Sequence, residues 1–205
     1  LPMTIAPQLL EAGIRVVDLS ADFRFASRER YESAYQPHKS PHLLANAVYG
    51  LSEIYRDLIA DAVLVGNPGC YPTTVLLPLV PLLRDGLIDA DSLIADAKSG
   101  VSGAGRSPSL ATHFCEVNES YKPYKVAVHR HNPEMDEILS REAQSEVHIT
   151  FVPHLVPMAR GMLTTIYARP RDGVTEKKIW DCLCSAYDRA PFVRLGTDGR
   201  IPDTR

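Results

Sequence analysis

Cysteine is scarce in this chain: four residues in 205, Cys70, Cys115, Cys182 and Cys184. That is far below the density of a small disulfide-stapled secreted domain. No leader-like segment opens the sequence, so free thiols in a reducing cytoplasm are expected. Long apolar runs are missing as well. The run from Val75 to Leu83 is broken by Pro78 and Pro81 and ended by Arg84-Asp85-Gly86, short of the roughly 18 residues needed to cross a bilayer. No membrane partner is therefore expected. Surplus positive charge is also lacking, with a formal net charge of -3, so nucleic acid is not an expected partner and any anionic ligand must be held by a few local cations. Neither a P-loop nor a Gly-x-Gly-x-x-Gly fingerprint occurs, and there is no internal repeat.

What is present is an alternation of helical and strand-like segments, the mark of an α/β fold. Residues 4–12 read as a helix closed by Gly13, and residues 14–18 as a short buried strand. Residues 22–44, with Pro37, Pro41 and scattered aromatics, read as an irregular excursion. A helix over 52–60 with Ser52 as N-cap and a strand over 62–66 follow. An apolar helix over 72–84, a strand over 93–97 and a helix over 132–143 with Pro133 in its first turn come next. Strands over 147–155 and 162–168 and an amphipathic helix over 175–189 complete the pattern.

Three clusters could carry chemistry. Cys70 stands in Gly-Asn-Pro-Gly-Cys-Tyr-Pro-Thr-Thr, residues 66–74, where a strand turns into a helix. A helix N-terminus favours the thiolate, the nucleophilic form of cysteine, while Asn67 could aim its amide into the same place. The alternative is a structural cysteine in a tight turn. The second cluster is His129-Arg130-His131-Asn132-Pro133-Glu134. If the stretch before Asn132 is extended, both imidazoles face one way, one able to act as acid or base, while Glu134 orients an imidazole or binds a cationic group. A zinc site of His129, His131, Glu134 and His154 is the rival reading, but the spacing is not that of the helical zinc hydrolases, and no metal is expected. The third is Ser99-Gly-Val-Ser-Gly-Ala-Gly-Arg106. Ser99, Gly100, Gly103 and Gly105 could form a nest of backbone amides beside a bound cofactor, with Arg106, Arg130 and Arg160 as phosphate-binding cations.

Six motifs in order now form a pattern: residues 17–24 (Val-Asp-Leu-Ser-Ala-Asp-Phe-Arg), 48–53 (Val-Tyr-Gly-Leu-Ser-Glu), 67–73, 99–106, 129–134 and 153–161 (Pro-His-Leu-Val-Pro-Met-Ala-Arg-Gly). Together they resemble the N-acetyl-gamma-glutamyl-phosphate reductases of arginine biosynthesis, from about Ile14 to Arg205. The resemblance implies NADPH-dependent reduction of an acyl phosphate to a semialdehyde, with NADP(H) as cofactor, in a homodimer or homotetramer. It implies Cys70 as nucleophile, and His129, His131 and Glu134 in the substrate site. His131 is taken as the acid/base, although spacing does not separate it from His129. The expected fold is the end of a Rossmann-like dinucleotide-binding domain over 1–66, then an α+β substrate and dimerisation domain over 67–205 resembling that of glyceraldehyde-3-phosphate dehydrogenase.

The family's opening strand and glycine-rich turn, and its closing segment, have no counterpart here, so a truncated chain without reductase activity of its own is expected. Three other readings remain open: a sister reductase of carrier-linked aminoadipyl or glutamyl phosphate in lysine biosynthesis, a cysteine hydrolase or acyltransferase, and a dimerisation fragment without chemistry.

Overall fold

The computed structural model describes residues 1–196, 199 and 201–204; positions 197, 198, 200 and 205, in the tail of the expected 67–205 domain, lie outside the described residues. Helix α1 (Pro2–Glu11) comes first. It ends where Gly13 adopts φ +73° and its N–H donates to the Leu10 carbonyl, a left-handed stop open to glycine at no steric penalty. Strand β1 (Val16–Asp18), helix α2 (Arg28–Ala34), strand β2 (Ala47–Tyr49), helix α3 (Arg56–Asp61) and strand β3 (Leu64–Gly66) follow. The strands form a parallel sheet in the order β1-β3-β2.

Helix α4 (Cys70–Arg84) then leads to β4 (Ile94–Ser99), the short α5 (Phe114–Val117), β5 (Lys122–Pro123), α6 (Asn132–Ala143), β6 (Thr150–Leu155), β7 (Met162–Tyr167) and α7 (Glu176–Tyr187). The second sheet runs β5-β6-β4-β7, with β4 parallel to β6 and antiparallel to β7. Its inner face meets α4 and α6. Val75, Leu76, Leu79 and Val80 of α4, Met135, Ile138 and Leu139 of α6, and Ala95, Ala97 and Phe151 of the sheet form one buried cluster. A smaller cluster, built on Met3, Ala6, Phe23, Leu44 and Leu64, closes the first sheet. Among the described residues no helix is long and apolar enough to cross a membrane.

The structure corrects three expectations. The 22–44 segment contains α2, started by Ser27, whose side chain accepts the Arg30 N–H, and a 3-10 turn over Pro41–Asn46. Ser52 caps no helix: α3 begins four residues later, and the Ser52 hydroxyl faces the Gly50 carbonyl at 3.5 Å. Strand β2, absent from the sequence reading, is three residues long, too short for a period-two pattern to register.

Candidate active site

The carboxyl ends of β1 and β3 point toward one cleft of about 520 Å³, lined by Cys70, His131, Gly69, Arg24, Asp22 and Arg130, with Tyr31, Tyr35 and Gln36 on the α2 side. This is the place where a parallel α/β sheet offers its strand ends to a ligand. Cys70 is the first residue of α4 and is exposed there. Its start is fixed by Gly69, whose carbonyl receives the Thr73 N–H at 3.0 Å and the Thr73 hydroxyl at 2.9 Å. A side chain at position 69 would not fit. A Cβ there would lie 2.8 Å from His131 Nε2 and 3.0 Å from the Pro72 ring, so the imidazole edge is packed against the backbone that carries the thiol.

The two histidines have different surroundings. The His131 N–H donates to His129 Nδ1 at 3.1 Å, so a neutral His129 carries its proton on Nε2. His129 lies against Tyr71, Tyr124 and Phe151, while His131 reaches the cleft. Burial, aided by the Arg130 and Lys125 charges, lowers His129 to about 4. Burial first, then His129, Arg24 and Arg130, lowers His131 to about 3. Both rings are therefore neutral at pH 7. His131 Nδ1 is buried and accepts or donates no hydrogen bond.

Glu134 does not open into the cleft, its side chain being 0% exposed. Its Oε1 accepts the Gly69 N–H and the Tyr49 hydroxyl, each at 2.8 Å, and its Oε2 lies 3.3 Å from Arg24. Burial outweighs these three partners and raises its pKa.

Of the other expected site residues, only Arg130 joins Cys70 and His131 in the cleft lining. Asn67 is half-buried, with its amide nitrogen 3.3 Å from the Pro68 carbonyl. Arg106 and Arg160 are exposed and lie outside the lining. The amides offered to a phosphate are already used: those of Gly100, Val101 and Ser102 donate to the carbonyls of Gly161, Met158 and Ala159, and those of Gly103 and Gly105 close the local 3-10 turn. The Ser99 hydroxyl donates to the Gly100 carbonyl. Residues 99–105 are thus a strap on the 158–161 segment, and a Cβ at Gly100 would meet the Arg160 backbone at 2.8 Å. Arg24 and Tyr49 were missed. Each lies in a motif of the sequence, but no spacing rule links them to a carboxylate 110 and 85 positions away.

Comparison with known proteins follows the same division. Residues 70–205 match the family described as semialdehyde dehydrogenase, dimerisation domain, and residues 2–62 the family described as semialdehyde dehydrogenase, NAD binding domain. The chain is 60% identical over 203 residues to a protein named N-acetyl-gamma-glutamyl-phosphate reductase from Desulforapulum autotrophicum, covering 99% of this chain and 59% of that protein. It is 55% identical to one of the same name from Syntrophobacter fumaroxidans, covering 94% of this chain and 56% of that protein. The chain thus spans a little over half the length of these relatives. Among solved structures, aspartate semialdehyde dehydrogenase II from Vibrio cholerae superposes with a TM-score of 0.70 at 15% identity, covering 99% of this chain and 61% of that one. A probable aspartate-semialdehyde dehydrogenase from Pseudomonas aeruginosa gives 0.62 at 17% identity, with 98% and 61% covered. The fold is therefore the end of a Rossmann-like nucleotide-binding unit followed by an α+β unit, and the chain belongs to the semialdehyde dehydrogenase family.

Proposed function

We propose that this chain carries the acyl-transfer site of an NADPH-dependent reductase that converts N-acetyl-gamma-glutamyl phosphate to N-acetyl-glutamate semialdehyde and phosphate, with Cys70 as nucleophile. The observation that carries this reading is the juxtaposition of an exposed cysteine at the start of α4 with a buried, neutral imidazole, from the start of α6, packed against the same turn. His131 takes the Cys70 proton, the sulfur attacks the acyl carbon, and the C–O bond to phosphate breaks as the imidazolium returns that proton to the departing oxygen, leaving a thioester on Cys70 and hydrogen phosphate. Arg130, exposed in the cleft lining, is the cation toward which the departing phosphate moves. His129 fixes the His131 backbone and keeps its own proton on Nε2. Collapse of the reduced adduct restores the sulfur of Cys70.

A nicotinamide cofactor is what the family of residues 2–62 calls for, and it would supply the hydride. The residues present suit its reactive end. The cleft lies at the strand ends, Gly69 offers bare backbone, and His131 Nδ1 is a buried polar atom with no partner. Residues 1–66 hold no glycine-rich fingerprint for the pyrophosphate. Association into a homodimer or homotetramer is supported by the outer face of the second sheet, where Ile94, Leu163 and Tyr167 are exposed.

The test is incubation with N-acetyl-gamma-glutamyl phosphate without cofactor, acid quenching and peptide mass spectrometry. An acyl adduct confined to Cys70, and lost in His131→Ala, is expected. Labelling spread equally over Cys115, Cys182 and Cys184, or none on a folded protein, overturns the proposal. Faster acylation by a carrier-linked acyl phosphate would move the substrate to the lysine pathway.

A further inference from the structure

The turn that presents Cys70 has few backbone groups to hold it by. Pro68 has no N–H, so the Asn67 carbonyl and the Gly69 amide are the two groups that flank it. Arg24 Nε donates to the Asn67 carbonyl at 2.6 Å, and Glu134 accepts the Gly69 N–H at 2.8 Å. Arg24 and Glu134 also pair with each other at 3.3 Å, with side chains 9% and 0% exposed. The result is a closed ring: Arg24, Asn67, Pro68, Gly69, Glu134 and back to Arg24.

Two further bonds lock the ring in place. The Tyr49 hydroxyl donates to the Glu134 oxygen that holds Gly69, at 2.8 Å, and the third nitrogen of Arg24, Nη2, donates to the Leu19 carbonyl at 3.2 Å. Tyr49 belongs to β2 and Arg24 to the loop after β1, whereas Cys70 opens the next unit and Glu134 sits in its α6. Clearance beside Gly69 is small, because a Cβ there would lie 2.8 Å from His131 Nε2. A shift of the Gly69 amide toward or away from Glu134 therefore alters the spacing of thiol and imidazole.

We infer that Arg24 and Tyr49 are positioning residues which, acting through Glu134, hold the Gly69-Cys70 turn against His131, so that the first unit sets the geometry of the nucleophile in the second. This rests on Cys70 being the nucleophile. It also gives Glu134 a different task from substrate contact: its two oxygens are consumed by the ring and its bracing hydroxyl.

The experiment measures steady-state reduction and first-turnover acylation on the intact protein for Tyr49→Phe, Glu134→Gln, Arg24→Lys and Cys70→Ser. The first three should lower kcat by roughly 10- to 100-fold, because a misplacement of about 1 Å in a reacting pair has that effect, while KM for the acyl phosphate stays within about twofold. Arg24→Lys should lose as much as the others despite keeping its charge, since an ammonium cannot span Asn67 and Glu134 in a fixed fork. Tyr49→Phe removes a single oxygen and decides the matter if Glu134→Gln does not fold. Wild-type kcat in Tyr49→Phe and Glu134→Gln, with Cys70→Ser inactive, overturns the positioning role and leaves the nucleophile standing. A raised KM with kcat unchanged also overturns it, because it would mean substrate contact. Activity retained in Cys70→Ser overturns the underlying reading itself.

Discussion

At the scale of single residues, the site is defined by what burial does to two imidazoles. A histidine on the surface would be partly charged near neutrality, but His131 is only 5% exposed and sits among His129, Arg24 and Arg130. Every one of these influences disfavours a second proton. The ring is therefore neutral with a free lone pair, and in the proposed reaction it can hold the thiol proton only while the thiolate formed beside it offsets the burial. Its carbon-bound ring protons should show no titration between pH 5 and 8 in a proton NMR series, and the same holds for His129, lowered to about 4. A midpoint near the ordinary value of about 6.5 for either ring would show that it is solvated, and would overturn the burial that keeps both rings neutral here.

At the scale of elements, the end of β3 is packed tightly against the loop after β1. A Cβ at Gly66 would lie 2.0 Å from the Phe23 carbonyl oxygen and 2.5 Å from its carbon, both backbone atoms. Gly66→Ala must therefore push apart β3 and the loop that carries Arg24. The expected loss is about 3 kcal/mol, read as a fall in Tm of roughly 6–12 °C for a chain of this size; a change under about 2 °C would mean that the loop yields freely. Such close approaches are invisible in a sequence, where Gly66 is one glycine among twelve. Longer periodic elements were legible. The α6 range was read in full because Asn132 and Pro133 mark its start and Met135, Ile138 and Leu139 give its buried face. Helix α4 was legible as apolar, but its true start at Cys70, two residues earlier than the reading, depends on the Gly69 cap. Helix α2 was lost because only seven residues adopt it, and one of them, Tyr31, is fixed by tertiary contact, donating to Asp22 at 2.8 Å. In the site, Cys70 and His131 could be found from local context. The Arg24 and Tyr49 contacts could not, since hydrogen bonds across the boundary of two units leave no periodic trace.

At the scale of the whole molecule, the buried histidines make stability depend on pH. Their folded values, about 3 and about 4, lie below the ordinary one. The unfolded chain therefore binds more protons in the interval up to about 6.5, and this contribution is fully present above that value and lost as pH falls through the interval. Each ring contributes at most about 1.4 kcal/mol per pH unit. Glu134 acts in the opposite sense: its raised value favours the folded state at low pH and is lost as pH rises through the folded pKa. Asp136 and Glu137, also raised by burial, act as Glu134 does, but the two rings each lie more than two pH units below their ordinary value of about 6.5, so the urea midpoint should fall from pH 7 to pH 5, and fall less in His131→Gln. A midpoint that is flat or rises on acidification would show that Glu134 or other carboxyls outweigh the rings.

The bond from Gly69 to Glu134 joins positions 65 residues apart, and this distance matters during synthesis on the ribosome. Cys70 emerges well before His131 and Glu134 have been made, so the nascent polypeptide displays a thiol with no base beside it and no clamp on its turn. On the proposed reading, reactivity arrives only when α6 docks, which ties the birth of the nucleophile to completion of the surrounding architecture.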